Sequence, residues 1–433
     1  MRLFAKRAAE ESKRGIEAIF STLAIPNYGI FTAGNCFSLI GTWMQRIGVG
    51  WLAWQLTGSG AWIGLLAFCD LFPSVILGFL GGAAADRLNR MRLMRISNIC
   101  ALIQASLLAV FAYLNFLTIE VLLFMVFVQG VIAGFNQPVR LALISSLVPR
   151  DNLSTAVAIN SVIFNLARFL GPAIAGVTIL HMSIGLVFVS NALSYIAMFA
   201  ALAYIEKKIT LPAPQISVEI PHQSWPAHMW EGLKYVARHP GIGPILSLYV
   251  LTSICVRPFV ELLPALAAGV FARGAEGLAT LSSSIGIGAM IGGIWLAQRG
   301  ETRGLTILTL IAGIVMALAT LGLTITNNFY VAVGLTTIAG AFLVMSGAGT
   351  QTMVQIAVDD SMRGRVMSMF GMIFRGGSAL GALIIGAISE GTGLRIPLTI
   401  GAVLAVVANC WFIYRRHAMI NALESLKAKI SYV

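Results

Sequence analysis

Long apolar runs dominate the chain and recur at a steady pace. Runs suited to helices fall at about residues 30–54, 61–84, 95–118, 121–145, 155–179 and 183–205, and again at 243–270, 277–298, 304–326, 329–353, 366–388 and 394–414. Each supplies the roughly 20 residues that a helix needs to cross a hydrocarbon core of about 30 Å. None alternates with the two-residue period of a barrel strand, and irregular backbone cannot face lipid. The pattern predicts an all-α integral membrane protein of 12 transmembrane helices.

A polar break divides these spans into two sets of six. Residues 206–241 carry Lys207, Lys208, Pro212, Pro214, Pro221 and Pro226 together with His222, His228 and His239, which reads as a linker. Within it, Trp230 to Arg238 has the spacing of one amphipathic helix. Residues 1–25 are basic, with Ile16, Ile19, Phe20 and Leu23 at helical spacing, and predict a helix lying on the membrane surface. The expected order is therefore 1–25 surface segment, 26–205 first bundle, 206–241 linker, 242–416 second bundle and 417–433 tail. A shift of 210 residues lays Val148 on Val358, Phe164 on Phe374, Gly171 on Gly381, Ile174 on Ile384 and Gly176 on Gly386. Arg46 and Arg257 nearly coincide under the same shift. Two pseudo-symmetric six-helix bundles follow from this ordered spacing.

Composition agrees with the periodicity. The 433 residues are 58% hydrophobic and 11% charged, with mean hydropathy +0.86, whereas soluble domains are about a quarter charged. The net charge of +12 would suit nucleic acid only if it were gathered on one surface. Instead Lys and Arg occupy every second connection and both ends: Arg2 to Arg14, Arg87 to Arg95, Arg140 and Arg150, Lys207 to Arg238, Arg299 and Arg303, Arg363 and Arg365, and Arg415 to Lys429. The alternate connections hold only Arg273 and Arg395. This asymmetry predicts a multi-pass protein of the cytoplasmic membrane with both termini in the cytoplasm, and no nucleic-acid partner. Cys36, Cys69, Cys100, Cys255 and Cys410 all lie in apolar runs, so no disulfide framework is expected. The N-terminal segment lacks the short apolar core and cleavage site of a removable signal peptide.

Candidate chemistry lies in the ionisable groups placed inside spans, which cost several kcal/mol unless paired or hydrated. Arg46 in the first span and Asp70 in the second fall within a turn or two of each other in depth. In the seventh span Arg257 and Glu261 are spaced i,i+4, one face of an α-helix, with Pro258 and Pro264 expected to bend it. Asp70 and Glu261 are candidate proton carriers coupled to Arg46 and Arg257; static ion pairs are the competing reading. Arg168 and Arg375 fall near mid-membrane in the fifth and eleventh spans, and the 210-residue shift puts Arg375 on Asn165, one turn from Arg168. Arg168, Arg375, Asn165 and Trp43 are thus candidates to line a substrate cavity, for an anionic, carboxylate- or catecholate-bearing molecule; packing against backbone carbonyls is the alternative. Gly286 to Gly292 imitates a dinucleotide fingerprint but lies inside an apolar span, and reads as small-residue helix packing. No phosphate-binding Gly-Lys-Ser/Thr loop is present, the linker histidines have no metal-site spacing and are expected to be solvated, and no cofactor is implied.

One polar turn has a further character. Gly82, Asp86, Arg87 and Arg90 lie between the second and third spans, with Asn89 and Arg92 beside them. The pattern of a Gly, three residues, Asp-Arg, a pair and Arg resembles the signature of the major facilitator superfamily. Asn89 stands where a second Gly is usual, as a residue that also tolerates a left-handed turn, and Met91 stands where a basic residue is common. Gly171, Pro172 and Gly176 in the fifth span resemble the Gly-Pro motif of the superfamily's antiporting, exporting branches in part, with Ala167 as its leading small residue and Ala175 where a Gly is frequent. Leu56 to Ser59, Glu231 to Val236 and Arg363 to Val366 are similar to passages of the enterobactin-exporter branch. The resemblance implies proton-coupled export of small amphipathic molecules, siderophore- or drug-like, by alternating access, with the protein functional as a monomer. It also implies that Asp86, with Arg90, latches against the start of the eleventh span near Arg363 to Val366, where the helix dipole favours an anion. Arg92 and Arg95 are then expected to be topology signals facing acidic lipid. An importer or lysophospholipid-type lipid transporter of the same fold, and a non-transporting membrane scaffold, stay open as alternatives.

Overall fold

The computed structural model describes residues 17–208, 225–300 and 303–424. The start of the basic surface segment, linker residues 209–224 with His222, and the last nine residues with Lys427 and Lys429 lie outside the described residues, as does the His228 side chain. The helices are α1 (Pro26–Thr57), α2 (Gly60–Arg87), α3 (Arg90–Tyr113), α4 (Ile119–Leu147), α5 (Leu153–His181), α6 (Ile184–Lys208), α7 (Trp225–Arg238), α8 (Ile242–Cys255), α9 (Ala275–Arg299), α10 (Leu305–Ile325), α11 (Phe329–Ala357), α12 (Arg363–Thr392), α13 (Arg395–Tyr414) and α14 (Arg416–Glu424). Eleven segments are long and apolar enough to cross a membrane by length and composition. The first helix, α1, is not among them despite its 32 residues, since Asn35, Gln45 and Arg46 lower its hydropathy. With α1 the chain has the twelve spans expected, as two sets of six joined through α7.

Chain contacts form two compact units. One comprises residues up to Gly48, Ile76–Leu117 and Val131–Ser217. The other comprises Val49–Val75, Thr118–Gly130 and residues from Val218 onward. The boundary therefore departs from the linker: the ends of α1, α2 and α4 remote from the basic turns pack with the second set. The reason lies in small residues on α2 and α12. A Cβ on Gly64 would overlap the Ala382 carbonyl, and one on Gly386 would lie 2.5 Å from the Gly60 carbonyl oxygen. Only bare backbone lets these helices cross so closely.

The first unit is knit near its basic turns by Tyr28, Phe31, Met91, Met94, Leu143, Leu147, Ile159, Met198 and Leu202. Leu23 and Ile25, just before α1, pack against this core, while Ile19 and Phe20 are exposed. The second unit has an equivalent core of Ile242, Leu246, Tyr249, Leu305, Met353, Val366 and Phe370, which also takes in Val236 of α7 and Met419 and Leu423 of α14. Gly288 and Gly292 of α9 face Thr337 and Ala341 of α11, and Gly340 faces Ile285, so the glycines of the false dinucleotide motif are a helix crossing.

The seventh span is not one helix. After Cys255 the chain turns through a 3₁₀ segment at Arg257–Val260, a single α turn at Leu263–Ala265 and a π segment at Leu266–Val270. Pro258 and Pro264 cannot donate to the preceding turn, which removes two α-helical hydrogen bonds in close succession.

Candidate functional site

In the first unit two spans, α1 and α5, meet at one indole. The guanidinium carbon of Arg46, one turn along α1, lies 5.4 Å from the centroid of the Trp43 ring, and that of Arg168 on α5 lies 5.6 Å from it. Phe164, one turn before Arg168, meets the same ring edge-on at 5.8 Å. Trp43, Arg46, Asn165 and Arg168 are all half-buried. Two like charges therefore share one π-system, each held by about 0.5–2 kcal/mol depending on how dry the contact is. Gly171 makes the arrangement possible, because a Cβ there would overlap the Trp43 Cβ and stand 3.0 Å from the Ile40 carbonyl oxygen. Pro172 and Gly176 are buried beside it on α5. Asn165 donates to the Ser161 carbonyl at 2.9 Å within its own helix.

Behind Trp43 runs a buried amide network. Asn191 of α6 donates to Gln45 at 2.7 Å, and Gln45 donates to Gln104 of α3 at 3.1 Å. Ser194 donates to the Asn191 carbonyl at 2.7 Å, and Asn98 donates to the Tyr195 carbonyl at 2.9 Å. Unsatisfied amides at such a depth would each cost about 1–3 kcal/mol. These residues fix the rotation of α1 and hence the side to which Trp43 and Arg46 point.

The second unit builds a different enclosure around Arg257. Its guanidinium lies 4.1 Å from the centroid of the Phe374 ring on α12 and 5.7 Å from that of Tyr249 on α8, and its Nη1 donates to the Tyr249 hydroxyl at 3.0 Å. Phe370 stacks on Tyr249 at 5.1 Å. Arg257 is 8% exposed and Tyr249 3%, whereas Phe374 is 39% exposed. The Nε of Arg257 and the Oγ of Ser253, one turn earlier on α8, are buried without a hydrogen-bond partner. No ion pair involves Arg257 among the described residues. A guanidinium stays protonated, so its N–H groups carry a charge whose burial without an acceptor costs about 1–3 kcal/mol or more.

This corrects the expected pairing of Arg257 with Glu261 on one α-helical face. The intervening residues are 3₁₀, with three residues per turn, so positions four apart are rotated by about 120° instead of lining up. Glu261 follows that turn, half-buried, its backbone N–H donating to the Pro258 carbonyl at 3.0 Å.

Arg375, one residue beyond Phe374, donates to Ser74 of α2 at 2.9 Å. Ser74 adjoins the helix-interior Pro73 and donates in turn to the Leu71 carbonyl at 2.7 Å. Asp70 is half-buried one turn earlier, and Gly130 of α4 lies so close to it that a Cβ would approach the Asp70 carbonyl oxygen to 2.5 Å. At the start of α2, Glu390 from the end of α12 accepts hydrogen bonds from the Ser59 hydroxyl and, at 3.2 Å, from the Ala61 N–H. A C-terminal-half carboxylate thus caps an N-terminal-half helix.

The basic turn after α2 is built differently from expectation. Arg90 is committed to its own unit: Nε donates to the Ala85 carbonyl at 3.1 Å, and Nη1 to the Ala142 carbonyl at 3.3 Å and the Ser146 hydroxyl at 2.8 Å. It ties the end of α2 to α4. Asn89 is not left-handed. With φ −62° and ψ 111° it is the N-cap of α3, accepting from the Arg92 N–H at 3.1 Å. Gly82 has open space around its missing Cβ, while Gly81 is the residue pressed on α4, 2.7 Å from the Gly134 carbonyl oxygen. Arg95 pairs with Glu206 of α6 and lies over Phe199, so it is a helix tie and not a lipid-facing signal. Asp86 and Arg87 are exposed.

Two stretches singled out separately in the sequence prove to be one junction. Glu231 of α7 pairs with Arg365 at the start of α12 at 2.7 Å, a Cβ on Gly232 would touch the Arg365 Cβ at 3.3 Å, and the Asp359 N–H donates to the Tyr235 hydroxyl at 3.2 Å. His239 ends this strap. Its Nδ1 accepts the N–H groups of Gly241 and Ile242, both at 3.1 Å, and so caps α8 instead of being solvated. Burial lowers its pKa from the ordinary 6.5 by disfavouring the charged ring, against a smaller opposing pull from Asp359.

Phe164, Phe374, Tyr249, Ser74 and Glu390 were missed in the sequence as site residues. For the first two a signal existed, since they coincide under the 210-residue shift.

The chain matches the profile of a family described as transmembrane secretion effector over residues 18–430. It is 24% identical over 406 residues to a staphyloferrin A transporter of Staphylococcus aureus, covering 93% of this chain and 99% of that protein. It is 25% identical over 354 residues to an enterobactin exporter of Shigella flexneri, covering 80% and 77% respectively. A solved structure of a peptide transporter shares its fold with a TM-score of 0.73 at 12% identity, over 92% of this chain and 96% of that one.

Proposed function

Because the chain belongs to the transmembrane secretion effector family of major facilitator superfamily transporters, we propose that it is a proton-coupled exporter of small amphipathic molecules, siderophore- or drug-like, in the cytoplasmic membrane. It is a transporter and not an enzyme. Both termini lie in the cytoplasm on this reading, which rests on the one-sided distribution of Lys and Arg.

The observation that carries the proposal is the pair of half-buried arginines on Trp43. An indole flanked by cations, deep in a span, offers an aromatic face and positive charge to an amphipathic anion, and such groups inside a membrane mark substrate or ion pathways. Arg46, Arg168, Trp43 and Asn165 are the substrate-binding residues of the first unit on this reading, and Arg375 is that of the second. Asp70 and Glu261 carry the proton. Alternating access uses carboxylates at opposite ends: the Glu390 cap on α2 holds the end at the 57–60 connection, and Asp86 forms its latch at the other end once that cap is released.

Purified full-length protein in liposomes tests the reading. An imposed proton gradient should drive uptake or release of a fluorescent amphipathic dye, and the direction separates exporter from importer. The Asp70→Asn, Glu261→Gln double variant should bind dye and lose gradient-driven transport; a double variant that still responds to the gradient eliminates the proton-carrier role. Asp86→Asn should raise the reactivity of single cysteines placed near the basic turns, and unchanged reactivity on both sides rejects the latch.

A further inference from the structure

We propose that Arg257, with Ser253 and under Phe374, is a binding site for a carboxylate group of the transported molecule. This deepens the transporter reading above and rests on it.

The observations are those of a buried cation whose donors are not all used. Arg257 is a permanent cation in the middle of an apolar unit, 8% exposed. No acidic side chain forms an ion pair with it among the described residues. Its Nη1 is used by Tyr249, but Nε is buried without an acceptor. Ser253, fully buried against Gly377 of α12, one turn beyond Phe374, has a hydroxyl that is likewise unpartnered. A guanidinium edge and a hydroxyl are what a carboxylate takes up: two N–H groups for its two oxygens and an O–H to complete the set. A static structural arginine would instead be expected to have its fork filled by a carboxylate or carbonyls of the chain.

The surroundings also fit a ligand. Gly347 of α11 stands beside the guanidinium, where even a Cβ would be 3.7 Å from Nη1 and 3.3 Å from the Tyr249 hydroxyl, so that side carries no side chain. The cover is Phe374, whose ring lies 4.1 Å from the guanidinium and is 39% exposed. The ring also meets that of Phe370 at 6.3 Å; on arrival of an anion it turns off the guanidinium and stacks on the aromatic or apolar body behind the carboxylate. The guanidinium and the hydroxyl, and not the apolar walls, are what separate a carboxylate from a neutral molecule of the same shape.

Benzoate is the probe, with benzamide as its uncharged counterpart of the same shape. Binding is read on full-length protein in lipid nanodiscs, without any gradient, by calorimetry and by the ligand-induced rise in unfolding temperature. Benzoate should stabilise the protein and benzamide should not. Arg257→Gln should weaken benzoate binding by at least about tenfold, the loss of one charged partner, and should unfold at a higher temperature than the parent in the absence of ligand, because an uncompensated buried charge is gone. Arg257→Lys, which keeps the charge and loses the fork, should also bind more weakly, and Ser253→Ala should lose a few-fold. Arg92→Gln, on the exposed basic turn, should bind like the parent. Equal affinity of benzoate and benzamide, or parent-like benzoate binding in Arg257→Gln or Arg257→Lys, overturns the site. Should Arg257→Gln not fold, the Arg257→Lys and Ser253→Ala comparisons decide alone. Gradient-driven transport without an Arg257 effect on binding rejects this site and leaves the transporter; intact benzoate binding without gradient-driven transport rejects proton coupling and leaves the site.

Discussion

The two halves of this protein place a phenylalanine and an arginine at corresponding positions and do opposite things with them. Phe164 and Arg46 in the first half correspond to Phe374 and Arg257 in the second, under shifts of 210 and 211 residues. In the first half Trp43 stands between them: Phe164 meets the indole edge-on, and Arg46 lies against the same ring. The residue corresponding to Trp43 is Ile254, which has no π-face. Phe374 therefore falls directly on the Arg257 guanidinium. One substitution in the repeat turns an arginine that shares an open indole into one shut under a ring. The backbone contact that sets both is the same, since Gly171 presses on Trp43 and Ile40 while Gly381 presses on Ile254.

That shared contact gives the largest expected effect. Gly171→Val and Gly381→Val should each destabilise by about 3 kcal/mol, because the new side chain meets backbone and cannot be relieved by a rotamer change. Equal losses of folded yield on size-exclusion chromatography would confirm the equivalence of the two crossings, and a tolerated Gly381→Val would break it. Next is Trp43→Leu, expected to cost about 2 kcal/mol as two guanidinium groups lose one ring, with thermal unfolding in detergent as the measurement. Phe164→Leu should cost less, since it removes only an edge contact of about 0.5–1.5 kcal/mol. If Phe164→Leu proves the more damaging, the indole is not the organising element of the first half.

Smaller effects separate the turns that frame each half. Arg90→Ala should cost about 1.5 kcal/mol through the charged hydrogen bonds that tie α2 to α4, and Arg92→Ala, exposed, close to nothing; both are read by thermal unfolding. The smallest effect depends on pH. The folded-state pKa of His239 lies below its ordinary value of 6.5, so its contribution to stability is complete above that value and is lost as pH falls through the lower folded one. His239→Asn keeps an acceptor for the start of α8 and does not titrate. Its unfolding temperature should therefore fall less than the parent's on acidification below about pH 6.5, and parallel curves would show that the cap is not what acid removes.

Much of the fold was legible because the bilayer imposes lengths and a charge bias that survive without any knowledge of packing. Runs such as 61–84 and 329–353 needed only extension by a few residues at their ends to become α2 and α11. The repeat was legible too, through Gly171 and Gly381. What could not be read was anything that depends on local helix type or on side chains from distant spans. Glu261 was placed on the face of Arg257 by α-helical arithmetic, which a 3₁₀ turn after Pro258 invalidates. Arg90 looked like part of an interdomain latch because the sequence does not disclose that Ser146 is within reach of its guanidinium. His239 looked solvated because two histidines near it share a polar stretch, whereas its ring is spent on the first N–H groups of α8. Glu231 and Arg365, far apart in the chain, carried no hint that they are one contact.

The carboxylate of Glu424 accepts the N–H groups of Gly304 at 2.8 Å and Thr306 at 3.0 Å. A helix in the middle of the second half is thus capped by a residue near the end of the chain, and Leu423 beside it fills space next to Gly241. Donor and acceptor are 118 and 120 residues apart in the chain, so the start of α10 is satisfied only once α14 has folded back onto it, and displacing α14 would bare both N–H groups at once.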